Sequence, residues 1–171
     1  MDLDELYKEV VLDHCRRPRN FGEMPDADVH VHGDNPSCGD EITLHVKFDA
    51  NRDLGDVMFT GNGCSLCMAS ASMMTQKIKN KPRANAESLW TSLHEMLTAR
   101  EEPKELDDKL GDLQVLIGVR KFPMRVKCAT LPWQALRQAL EEKKSALVEH
   151  ACESKTFVLP LRLRASGAAD G

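Results

Sequence analysis

The sequence predicts an α+β fold: a small antiparallel three-stranded sheet packed against helices. Three observations predict it. Apolar residues recur at helical spacing from Leu3 to His14, alternate with a period of two between about residues 28 and 60, and return to helical spacing beyond Gly63. With 171 residues, 42% of them apolar, the chain is long enough for one ordinary core and too short to require two. One domain is therefore expected over residues 1–150, with a tail over residues 151–171.

Asp2 and Glu5 form a capping-box pattern, and Leu3, Leu6, Tyr7, Val10, Val11 and His14 follow at helical spacing, so a first amphipathic helix is expected to end near Pro18. Val29 and Val31 alternate with His30 and His32. Ile42, Leu44, Val46 and Phe48 alternate with Thr43, His45 and Lys47, and Val57, Met58 and Phe59 make a shorter third run. The turn-like segment Asn51 to Gly55 joins the last two runs, as in an antiparallel sheet with one face covered.

After Gly63, Cys67, Ala71, Met74 and Ile78 fall on one helical stripe. Asn80 to Arg83 breaks it. Leu89, Trp90, Leu93, Met96 and Leu97 mark a further helix, Glu101 to Glu105 a polar connector, and Leu113 to Arg120 a short helix stopped near Pro123. The last long helix is expected from about Thr130, with Pro132 in its first turn and Trp133, Leu136, Leu140 and Leu147 along one side. Beyond Ala151 the periodicity ends, and the small-residue-rich ending at Gly171 reads as a frayed tail.

A formal charge of −4 and a pI near 5.9 supply no general attraction to nucleic acid or anionic lipid. The acidic opening Met1 to Glu5 has no apolar signal core, and no stretch is apolar for long enough to span a bilayer, so a cytoplasmic protein is expected. Six cysteines in that setting argue for reduced thiols with chemical or metal-binding work, because disulfide frameworks belong to oxidising compartments.

Three of those cysteines have local settings that favour a thiolate. Cys64 follows a strand and a Gly-Asn-Gly turn and precedes a helix, where free N–H groups and the helix dipole lower a thiol pKa. Cys128, at the start of the predicted last helix, repeats the arrangement, with Arg125 and Lys127 adding positive charge. Cys38 lies in the turn Asn35-Pro36-Ser37-Cys38-Gly39-Asp40, where the small Gly39 lets Cys38 and Asp40 aim at one point. A lone cysteine is more often a small buried apolar residue. Jointly, three thiolates plus Asp40 match a tetrahedral zinc site or a site for iron–sulfur intermediates.

These segments, together with Met68 to Met74, Arg125 to Leu131, Leu6-Tyr7 through His14, and Pro18-Arg19-Asn20-Phe21-Gly22, resemble the iron–sulfur cluster assembly proteins of the IscU and NifU amino-terminal type. The resemblance covers about residues 3 to 145 and implies a SufE/IscU-like fold. Within the family the SufU branch is the nearer likeness: Lys127 stands where the IscU branch has a histidine, and extra chain lies around Lys81 to Asp112. For that branch the resemblance implies zinc held by Cys38, Asp40, Cys64 and Cys128. It also implies a zinc-dependent sulfurtransferase role, in which sulfur comes from a PLP-dependent, SufS-like cysteine desulfurase and passes to recipient cluster-assembly proteins. Cys38, in its mobile turn, is the chosen sulfur acceptor. The IscU branch instead implies a non-enzymatic scaffold, with iron or a transient 2Fe–2S cluster on Cys38, Cys64 and Cys128.

Cys67 departs from the family pattern. It makes Cys64-Ser65-Leu66-Cys67 a C-x-x-C, a spacing that also suits a thiol–disulfide oxidoreductase or an all-cysteine zinc site that merely maintains a fold. Its place on a helical stripe favours a packed residue. Cys15 and Cys152 read as structural or surface thiols, His14 as packed or hydrogen-bonded, His30, His32 and His45 as polar-face residues, and Met68, Met73 and Met74 as core.

Overall fold

The computed structural model describes residues 3–148. Four helices, α1 (Leu3–Arg16), α2 (Ser65–Ile78), α3 (Arg83–Thr98) and α4 (Pro123–Val148), accompany strands β1 (Val29–Asn35), β2 (Asp40–Phe48) and β3 (Leu54–Asn62). The strands form one antiparallel sheet in the order β1-β2-β3. Asp2 of the capping box, the side chain of Leu147, Cys152 and the tail expected beyond Ala151 lie outside the described residues.

The period-two pattern sets the sheet's inner face. Val31, Ile42, Leu44, Val46, Val57 and Phe59 are fully buried on it, beneath α2 and α4. Burying each such side chain contributes roughly 1.5–3 kcal/mol. β3 runs past the expected Val57 to Phe59 at both ends, because its ladder with β2 continues to Glu41 opposite Asn62. In the turn before it, Asp49 Oδ1 accepts the N–H groups of Asn51 and Asp53 at 2.8 and 2.9 Å. The loop after α1 covers the free edge of β3: Gly22 N–H donates to the Phe59 carbonyl and Phe59 N–H to that of Asn20, both at 2.9 Å.

Two expectations are corrected. α4 starts at Pro123, not near Thr130: Pro123 is the proline at the first helical position, and the Phe122 carbonyl accepts from Arg125 and Val126 N–H to close the first turn. Pro132 therefore lies inside the helix, where complete burial of Trp133 and Ala135 and near-complete burial of Leu136 outweigh its missing N–H. The short helix around Leu113 to Arg120 is a 3-10 segment over Asp108–Lys121, broken at Gly111 where φ is +51°. His45 lies on the polar face, as expected, yet it is only 7% exposed, its ring packed edge-on against cross-strand His30.

Candidate metal and sulfur site

Cys38 occupies the tip of the β1–β2 hairpin. Its N–H donates to the Asn35 carbonyl at 3.2 Å, Asn35 pairs with Asp40 across the ladder, and Gly39 takes the left-handed φ of +68° needed to re-enter β2. The Cys38 side chain is exposed, whereas Asp40, two residues on, is 1% exposed. Cross-strand pairing ends with Glu41 opposite Asn62, which carries Asp40 to the start of α2.

There Asp40 Oδ1 accepts the Cys64 N–H at 2.8 Å. Gly63 makes that approach possible, because a Cβ on it would sit 2.9 Å from the same oxygen. Asp40 Oδ2 is buried with no hydrogen-bond partner in the described structure. An orphaned carboxylate oxygen of this kind calls for a cation or a donor.

Cys64 is the N-cap of α2, in extended geometry. The N–H groups of Cys67 and Leu66 lie beside its sulfur and favour the thiolate, as the sequence reading expected. Burial, with the Asp40 carboxylate adding to it, outweighs them and raises the thiol pKa, which corrects the net direction.

Cys128 is corrected more fully. As the sixth residue of α4 it stands beyond the helix start, 1% exposed, its thiol donating weakly to the Met124 carbonyl and its sulfur accepting from Asn35 Nδ2, both at 3.6 Å. Its pKa is raised by burial first, then by the neighbouring Cys38, Asp40 and Cys64. Pro132, four residues on, has no N–H to offer the Cys128 carbonyl. Arg125 stacks over Phe122, 5.2 Å from the ring centre.

The sulfurs of Cys38 and Cys128 and a carboxylate oxygen of Asp40 lie within 4.8 Å of one another. Cys64 stands outside that mutually close set but touches Cys128. Ligand-to-ligand edges in a tetrahedral zinc site with thiolate and carboxylate donors are about 3.4–3.8 Å. The set is thus a slightly opened version of such a site, and the buried, unpartnered Asp40 oxygen fits a metal.

Cys67, like Ala71, Met74 and Ile78 on its stripe, is completely buried, and burial raises its pKa, with Asp40, Cys64 and Cys38 adding to the effect. Cys15 is half-buried. His14 exchanges a 2.7 Å hydrogen bond with Ser72 Oγ. His30 Nδ1 lies 2.7 Å from His45 Nδ1, and His32 reaches Thr43, away from the cysteines. Met73 and Met74 are core, and Met68 packs against it.

Three contributors to the site carry no role that the sequence assigns: Asn35 stands there only as part of its motif, Gly63 as part of a turn, and Tyr7 as a helix-face residue. Half-buried, Tyr7 sits close enough to Arg125 and Cys64 to feel both charges, and burial raises its pKa. Only Asn35, adjacent to Pro36 in a cysteine-bearing turn, carried a local signal.

A family model described as the NifU-like N-terminal domain matches residues 6–129. The chain is 45% identical over 143 residues to a protein of Bacillus subtilis (strain 168) named zinc-dependent sulfurtransferase SufU, covering 84% of this chain and 95% of that protein. It is 42% identical over 148 residues to the iron-sulfur cluster assembly scaffold protein IscU of Streptococcus pyogenes serotype M1, covering 86% and 89%. Among solved structures, a candidate iron-sulfur cluster assembly scaffold protein for the SUF system from Fervidobacterium islandicum AW-1 superposes with a TM-score of 0.71 at 34% identity, covering 80% of this chain and 97% of that one.

Proposed function

This chain belongs to the family of the NifU-like N-terminal domain, and from that premise we propose that it serves iron–sulfur cluster assembly as a zinc-dependent acceptor of sulfur from a cysteine desulfurase. The observation that carries the reading is the convergence of Cys38, Asp40 and Cys128 within 4.8 Å around a buried, unpartnered carboxylate oxygen. Cys38, Asp40, Cys64 and Cys128 would hold the zinc, whose charge favours thiolates over thiols at the three cysteines.

Cys38 is the acceptor because it alone of the four is exposed, on a hairpin tip, while Asp40 and Cys128 are buried and Cys64 is half-buried. Its thiolate attacks the terminal sulfur of the desulfurase persulfide; the new S–S bond forms on Cys38 as the old one breaks, and the desulfurase cysteine leaves as a thiolate. Exposed Phe122 and Met124, amid Lys121, Arg125 and Lys127, offer that partner an apolar and basic surface on the turn leading to Cys128. Recipient assembly proteins would take the sulfur onward.

The same soft donors suit iron, so the scaffold reading, with a 2Fe–2S cluster as cargo on Cys38, Cys64 and Cys128, is the alternative. Lys127 before Cys128 favours the sulfur-acceptor role, since a protonated lysine supplies no ligand. Protein isolated without chelator should contain one zinc per chain and stimulate a cysteine desulfurase. In a single-turnover assay with labelled persulfide on the desulfurase, Cys38→Ala should take up no label, and label at the normal rate would overturn the assignment. Iron and acid-labile sulfide in place of zinc would favour the scaffold.

A further inference from the structure

Among the described residues, Cys67 is the one thiol beside the site that the proposed function leaves idle, and its position is specific. The Met68 N–H donates to the Cys64 carbonyl at 3.1 Å, so Cys64 and Cys67 occupy the N-cap and third positions of the same helical turn. Helix geometry puts their Cα atoms about 5 Å apart, inside the roughly 4.4–6.8 Å range that a disulfide spans. The Cys67 N–H lies beside the Cys64 sulfur.

Packing is compatible with a sulfur here but does not require one. Cys67 is completely buried on a stripe with Ala71, Met74 and Ile78, where alanine or valine would fill the same role. The competing pair, Cys64 with Cys128, joins two separate helices. Cys128 is moreover held by its contacts to Asn35 and to the Met124 carbonyl, so bridging it requires those contacts to break.

We propose that Cys67 is the internal resolving thiol of Cys64, so that two-electron oxidation by a peroxide closes a Cys64–Cys67 disulfide and withdraws Cys64 from the metal site. This rests on the metal reading above. The Cys64 thiolate attacks one peroxide oxygen and becomes a sulfenic acid as the O–O bond breaks; the other oxygen leaves as hydroxide or alkoxide and takes a proton from solvent. The Cys67 thiol then attacks the sulfenic sulfur; the S–S bond forms, and the sulfenic oxygen leaves as water with the Cys67 proton. Two thiols supply the two electrons that reduce one peroxide. A thiol reductant reopens the bond, making the loss of metal reversible, whereas a sulfenic acid without a resolving partner proceeds to irreversible sulfinic acid.

The test treats the zinc-loaded protein with hydrogen peroxide, follows metal release with a chromophoric chelator, blocks free thiols and maps disulfides by mass spectrometry. The expected result is metal release in step with a Cys64–Cys67 disulfide, and full metal rebinding after a thiol reductant and added zinc. In Cys67→Ala the metal is released but rebinding after reduction is largely lost. A Cys64–Cys128 or Cys38–Cys128 disulfide as the main product, or rebinding by Cys67→Ala equal to that of the unaltered chain, would overturn the proposal. If Cys67→Ala does not fold, disulfide mapping on the unaltered chain decides. Metal content before oxidation reports on the metal reading separately: without bound metal that reading fails, while the mapped pair still shows whether Cys67 resolves Cys64.

Discussion

Asp40 and Cys64, 24 positions apart, are joined by a hydrogen bond from the Cys64 N–H to Asp40 Oδ1 at 2.8 Å, while the other oxygen of the same carboxylate is buried without a partner. One side chain therefore has two separable tasks, capping the start of α2 and facing the sulfur cluster. Asp40→Asn keeps an acceptor for the Cys64 N–H and removes the charge. It is expected to leave the metal-free unfolding midpoint unchanged or higher, because a buried charge is gone, while metal affinity falls by more than the roughly 10–100-fold that loss of a group supporting a ligand costs. Asp40→Ala removes the hydrogen bond as well, at about 1–3 kcal/mol of folding stability. Denaturant titration and chelator competition on the two variants check both.

Asn35 donates to the Cys128 sulfur from the strand opposite α4. A donor beside a thiolate stabilises it, so Asn35→Leu, similar in size and without a donor, is expected to weaken zinc binding about 10–100-fold. Competition with a chromophoric chelator measures this, and unchanged affinity would remove Asn35 from the site.

Gly63 has no unusual backbone angle, so alanine there meets only a steric obstacle, the Asp40 oxygen at 2.9 Å and the Cys67 Cβ at 3.3 Å. Gly63→Ala is expected to displace the carboxylate and lower metal affinity. At Gly39 the situation is reversed: a Cβ meets nothing within 4 Å, but φ is +68°. Gly39→Ala is expected to lower stability by about 1–2 kcal/mol through backbone strain alone. Circular dichroism melts and metal titrations separate the two effects.

Burial lowers the pKa of His14, with Arg19 adding to the effect, and that of His45, with His30 adding to it; Asp13 and Asp112 oppose the shift at His14 and Glu23 that at His45. Both histidines are thus held neutral in the folded state and take up protons on unfolding. Their contribution is fully present above the unfolded value near 6.5 and is lost as pH falls below it. Unfolding free energy is expected to decline below that pH, by up to about 1.4 kcal/mol per pH unit for each proton taken up. His14→Gln and His45→Gln should flatten the decline in denaturant titrations across a pH series.

The turn chemistry around Cys38 and Gly39, the two-residue period of β1 and β2 and the helical stripe of α2 are contained in neighbouring residues, and each was legible without coordinates. The motifs also named Cys38, Asp40, Cys64 and Cys128 as one set, of which the structure brings Cys38, Asp40 and Cys128 within 4.8 Å of one another and leaves Cys64 outside that close group. The start of α4 was not legible. Pro123 and Pro132 are both acceptable at a first helical position, and only the burial of Trp133 and Leu136 against the sheet and α2 decides that the helix runs through the second proline. That decision sets Cys128 inside the helix.

By itself, then, the sequence determined which side chains have the chemistry to hold a metal or sulfur, and the local geometry that presents Cys38 on an exposed tip and Cys64 at a helix start. Tertiary structure alone decided how those groups behave. Periodicity reports on residues within one helical turn or two strand positions, whereas desolvation depends on every element that closes over a thiol. The dipole effect read from the Gly-Asn-Gly-Cys turn is present at Cys64, yet burial beside Asp40 reverses its sign. The same long-range packing brought Asn35 to Cys128, and Cys67 into the core directly beneath the site.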